Sequence, residues 1–101
     1  MIQRIVLVKL KADYATTVER NKIVEHSQNV LPTMRGVISA MAGFPADERA
    51  RAWDLSITVV LETIADVSSL RECPIHQLYS RECLGPRMEC HEAWNFDVSL
   101  Q

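Results

Sequence analysis

The sequence predicts an α+β domain of order β-α-β-β-α-β, whose four strands form one antiparallel sheet with both helices on a single face. Three observations predict it. Apolar and β-branched residues dominate residues 1–11 and 53–61 at strand periodicity. Two capping patterns, at Thr16 and at Thr63, each open a stretch with helical spacing. Two further strand-like runs, residues 36–44 and 87–100, follow those helices.

The first strand, "MIQRIVLVKLK", places Ile2, Val6, Val8 and Leu10 on one side with Arg4 among them, and Ile5 and Leu7 on the other. A strand apolar on both sides is central and needs cover on each face. Thr16-Thr17-Val18-Glu19 is a capping box. The helix it opens carries Ile23, Val24, Ser27, Val30 and Leu31 as an inward stripe and ends at Pro32. "GVISAMAGF" is the second strand, and the charged "PADERARA" connects it to the third.

In the third strand Trp53, Leu55, Ile57, Val59 and Leu61 share a face, with Asp54, Ser56 and Thr58 on the other. Thr63 to Asp66 repeats the cap with Asp in place of Glu, and the helix behind it carries Ile64, Val67 and Leu70. Pro74 interrupts this helix and suits the first turn of a new one, because its missing N–H has no partner to lose there. Ile75, Leu78, Tyr79 and Cys83 are the expected buried stripe of that turn, and Gly85-Pro86 is a stop. "RMECHEAWNFDVSL" is the last strand, with Met88, Cys90, Trp94, Phe96, Val98 and Leu100 expected on one face.

This order is the ferredoxin-like, split βαβ arrangement, with the first and third strands in the middle of the sheet. Residues 1–101 are expected to form one such domain. The helices cover one face only, so Ile5, Leu7 and the open face of the second strand need a lid. The economical lid is a second copy of the same sheet, and a homodimer is expected.

Composition narrows the function. Eleven Lys and Arg against thirteen Asp and Glu leave a net charge of −2. There is no basic surplus for phosphates, and the central first strand lacks the aromatic platforms of RNA-binding folds, so no nucleic-acid partner is expected. No apolar run approaches the ~18 residues of a membrane span. The N-terminal apolar run is short and meets Lys9 and Lys11 at once, unlike a signal peptide, so a cytoplasmic location is expected. Three cysteines, Cys73, Cys83 and Cys90, stand at no framework spacing, in keeping with reduced thiols.

Four landmarks, in order, carry a resemblance to a known family. "MIQRIVLVKLK" at the start, "VLPTMRGV" from Val30 to Val37, the strand ending "VLET", and "CPIHQ" from Cys73 to Gln77 resemble those of the stress-responsive A/B barrel domain, the dimeric α-β barrel or Dabb family. The resemblance spans nearly the whole chain. It implies a ferredoxin-like protomer whose sheet packs on its twin to close a dimeric α/β barrel. Members include plant stress proteins, bacterial proteins of unknown role and a few plant polyketide cyclases. In the cyclases the His of a Pro-X-His motif works in a pocket between sheet and helices, aided by tyrosine and further histidines. His76 fills that position here. Leu70 stands where an aromatic partner is expected, Arg4 where the first strand would offer an imidazole, and the third-strand face around Leu55 is apolar.

His76 is therefore the candidate catalytic residue, an imidazole suited to accept a proton from a carbon acid. Arg4, on the helix-facing side of the first strand, is the candidate for binding a carboxylate or enolate. Tyr79, Trp53 and Leu55 are candidate ligand contacts. A metal is not expected. Cys73-x-x-His76 lies at one helix start, and the adjacent Cys90 and His91 point to opposite faces of a strand. His26 and His91 read as exposed, on a helix flank and on the polar face of the last strand. No cofactor is expected. Two functions follow: a homodimer holding a small apolar molecule between sheet and helices, or a cofactor-independent cyclase, isomerase or lyase with His76 as general base.

Overall fold

The structure, a computed structural model, describes residues 1–98. Four strands, β1 (Ile2–Leu10), β2 (Val37–Gly43), β3 (Leu55–Leu61) and β4 (Met88–Asp97), form one antiparallel sheet in the order β2-β3-β1-β4. The first and third strands are central, as the two crossovers require. Helices α1 (Thr17–Val30), α2 (Ala65–Glu72) and α3 (Pro74–Leu78) accompany it, and α3 runs directly into a π-helical segment, Tyr79–Leu84. This is the α+β ferredoxin-like fold.

Local chemistry explains the element ends. Thr16 Oγ1 accepts the Glu19 N–H at 3.2 Å, which satisfies one free donor at the start of α1. The α1 chain narrows to a 3-10 turn over Leu31–Thr33, where Pro32 cannot continue the helix. Gly36 then turns with φ 85°, a conformation that disfavours any side chain. Before α2, Asp66 Oδ2 accepts both the backbone N–H and the hydroxyl of Thr63. Pro74 occupies the first position of α3.

The core lies between the sheet and the helices. Val8, Leu10, Leu55, Ile57, Val59 and Leu61 meet Ile23, Val24, Leu31, Val67 and Leu70 there. Asp54 is a charged member of this interior. It accepts the Leu10 N–H at 2.7 Å and pairs with Arg20 of α1, so one carboxylate ties a central strand to a helix.

Several expectations about facing are corrected. In β4, Lys9 pairs with Cys90 but Leu10 with Met88, so Glu89 is an extra residue, a β-bulge. The bulge inverts the alternation. Met88 packs against the core, whereas Cys90, Trp94 and Phe96 share the open face with Lys9, Ile5 and Gln3. His91 pairs with Val8 and so stands on the helix-facing side, not on the solvent face. Leu100 lies outside the described residues.

Asp54 is buried rather than grouped with Ser56 and Thr58, because it precedes β3 and its carboxylate serves Leu10 and Arg20. Trp53 likewise precedes the strand, and borders a small depression with Leu7, Phe44 and Ser56 of the open face. In the α3 region Tyr79 and Cys83 are buried as expected, but Ile75 and Leu78 are exposed. Ile75 and Leu78 belong to α3 itself and border a groove beside α1 instead of the core. Ile64, just ahead of α2, is also exposed.

Candidate functional site

A cavity of about 220 Å³ lies between the inner face of the sheet and the helices. Val6, Ile57 and Val59 form its sheet wall; Leu31, Leu70 and Leu84 form its helical wall. Polar groups enter from three directions: Arg4 from β1, His76 with Tyr79 and Ser80 from α3 and the π-segment, and His91 from β4. The structure thus brings together Arg4, His76 and Tyr79 of the candidate residues. Leu55 and Trp53 lie outside this cavity: Leu55 is buried in the core, and both border the depression shared with Leu7, Phe44 and Ser56.

His76 is half-buried, and Pro74 two residues earlier sets the direction in which the helix presents it. Burial holds its pKa below the ordinary 6.5, and the positive charges of Arg4 and Arg71 add to the effect. At neutral pH the imidazole is therefore uncharged and free to accept a proton. Among the described residues no side chain hydrogen-bonds it, so its orientation comes from packing. Just upstream, Cys73 is buried with its thiol held below the ordinary cysteine value. The backbone N–H of His76 is the largest cause, with help from that of Arg35.

Arg4 is half-buried and donates from Nη1 to Asn95 Oδ1 at 3.0 Å, across the β1–β4 register in which the two residues are partners. Burial, then the nearby charge of Arg71, lowers its pKa, yet a guanidinium stays protonated at any working pH. Tyr79 is buried, and its hydroxyl shares a hydrogen bond with the fully buried Ser27 Oγ. Burial drives the Tyr79 pKa upward, so the phenol is a neutral group and not a base. Its ring also stacks on His26, 6.1 Å between centroids.

Sequence reasoning missed His91 and Asn95, which the bulge turns toward the helices. No glycine or proline marks the bulge at Glu89, so the sequence carries no local signal for it. Arg71 was also missed. A second hollow, a groove of about 470 Å³, runs between α1 and α3 and is bordered by Ile23, His26, Ile75 and Leu78. Tyr79 is common to the groove and the cavity.

No family model matches the chain, and no curated protein matches its sequence. Solved structures do match its shape. A Dabb family protein with a ferredoxin-like fold from Mesorhizobium loti superposes with a TM-score of 0.80 at 17% identity, over 99% of this chain and 97% of that one. The chain shares the ferredoxin-like fold of a Dabb family protein. A dimeric ferredoxin-like protein of unknown function from Thermobifida fusca matches with a TM-score of 0.81 at 13% identity, over 96% and 90% of the two chains. A hydroxynitrile lyase from Passiflora edulis matches with a TM-score of 0.79 at 14% identity, over 99% and 94%. At these identities the likeness is one of fold.

Proposed function

We propose that this chain is a stress-responsive A/B barrel protein that works as a homodimer and holds a small, largely apolar molecule between its sheet and its helices. The cavity carries this reading. Its walls are aliphatic, and its few polar groups converge from separate elements, the usual make-up of a small-molecule site. Its volume lies below the about 300–1,000 Å³ of sites for drug-sized ligands, so the occupant is small.

The homodimer rests on the open face of the sheet. Ile5 and Leu7 lie at its centre, and Met41, Trp94 and Phe96 stand exposed beside them. An apolar sheet face of this kind calls for a cover. A neighbour of the same fold is dimeric, which supports a second copy as that cover.

A second reading is favoured by one observation, the neutral imidazole of His76 facing the same space as the Arg4 guanidinium. On this reading the protein is a cofactor-independent lyase, cyclase or isomerase. His76 accepts the substrate proton, and Arg4 stabilises the oxyanion or carbanion that forms. The fold shared with a hydroxynitrile lyase supports chemistry of this type in such a cavity.

Native mass spectrometry of freshly purified protein, with and without denaturing release of small molecules, tests the first reading. A dimer with a reproducible extra mass is expected, and a stable monomer with no adduct overturns it. His76→Gln then separates the two readings. A base is indicated if the variant keeps the dimer and its ligand but no longer releases cyanide from a hydroxynitrile that the wild type cleaves. Cleavage by the variant at the wild-type rate rules His76 out as that base.

A further inference from the structure

The charge of the cavity is at odds with that of the chain. Acidic residues outnumber basic ones, thirteen to eleven, yet the charged side chain in the cavity lining is Arg4, and the lining holds no Asp or Glu. Arg71 stands close enough to act on both Arg4 and His76, and it adds positive charge.

Two other guanidinium groups, those of Arg20 and Arg87, are also half-buried. Arg20 is ion-paired with Asp54. Arg87 donates to the carbonyls of Glu82 and Cys83 and lies 5.6 Å above the Tyr14 ring. Arg4 is also partly withdrawn from water, but among the described residues its hydrogen-bond partner is the neutral amide of Asn95, and it makes no ion pair. A guanidinium has five donors in a planar fork. Withdrawing such a cation from water without a counter-ion costs stability. An arrangement of this kind is stable in use when the counter-ion arrives with the ligand.

We infer that the molecule held between sheet and helices is a small carboxylic acid in its anionic form, its carboxylate received by Arg4 and its apolar body by the aliphatic walls at Val6, Ile57 and Leu70. The inference rests on the reading of the cavity as a binding site and deepens it by naming the ligand class. Carboxylate geometry suits the fork of Arg4, which offers two parallel N–H groups to two oxygens. The aliphatic walls favour a ligand with an apolar body over a bare inorganic anion, which would leave them without a packing partner.

Phenylacetate and phenylacetamide, alike in shape and different in charge, make the test. Each is titrated into the intact protein by calorimetry, with the Arg4 Nε–H resonance followed by NMR. The acid is expected to bind at least about tenfold more tightly than the amide and to shift that resonance. Arg4→Gln removes the preference. Asn95→Asp does so as well, by giving Arg4 a carboxylate of its own, and it covers the case in which Arg4→Gln fails to fold. Equal binding of acid and amide overturns the anion inference and leaves the binding site standing. A preference that survives in Asn95→Asp also overturns it. Binding of neither probe overturns the binding-site reading and this inference together.

Discussion

A half-buried histidine with two arginines acting on it destabilises the fold when it takes up a proton, and His76 is such a residue. Burial, with Arg4 and Arg71 behind it, keeps its folded-state pKa below 6.5. The unfolded chain therefore binds a proton at this site before the folded chain does. Stability is unaffected above about pH 6.5, where both states are neutral, and falls as the pH drops from there toward the folded-state value. The melting temperature of the wild type is expected to fall more steeply between about pH 7 and about pH 5 than that of His76→Gln. Parallel curves for the two proteins would show that the imidazole is not held neutral by its surroundings. Pro74 marked a helix start in the sequence, and His76 was legible as a site residue through the resemblance of "CPIHQ" to a Pro-X-His motif. His91 was not, because its facing depends on a bulge set by pairing with β1.

Helical elements show how a backbone detail positions the site. The π-segment Tyr79–Leu84 closes with the Gly85 N–H donating to the Ser80 carbonyl at 2.7 Å. A Cβ at Gly85 would lie 2.7 Å from that same carbonyl oxygen, which belongs to the main chain and cannot swing aside. Gly85→Ala should therefore cost about 1–3 kcal/mol, as overpacking does. It should also loosen Tyr79 and Ser80, which line the cavity from this segment. Chemical denaturation measures the first effect, and an unchanged midpoint would refute the close approach. The glycine was read from the sequence as a stop signal, and the chain does leave the helix there. That the turns before it are π-helical was not legible. The i→i+5 pattern leaves no mark in residue types.

At the scale of the whole molecule, one face of the sheet is covered by helices and the other is not. The centre of the open face pairs Ile5 with Trp94 and Thr58, and Leu7 with Ser56 and Glu92. A stable protein interface buries about 1,200–2,000 Å² in total, and a second carboxylate beside Glu92 near its centre is costly. Trp94→Glu is accordingly expected to shift the proposed homodimer to monomer in light-scattering chromatography while leaving the circular dichroism of the fold intact. A dimer that persists in this variant would mean that the sheet faces do not meet at Trp94. The need for a cover was legible in the doubly apolar first strand, because a strand with water on one side alternates.

By itself the sequence determined the element order, the antiparallel sheet with β1 and β3 at its centre and the cap at Thr16. Each of these follows from periodicity, capping or proline placement, which act over a few neighbouring residues. Only the tertiary structure decided that Arg4, His76, Tyr79 and His91 share one cavity, that Asp54 is an interior anchor, and that Trp53 belongs to the other face. Those outcomes depend on register between strands distant in sequence. A single extra residue in β4 reverses the direction of every side chain that follows it along the strand.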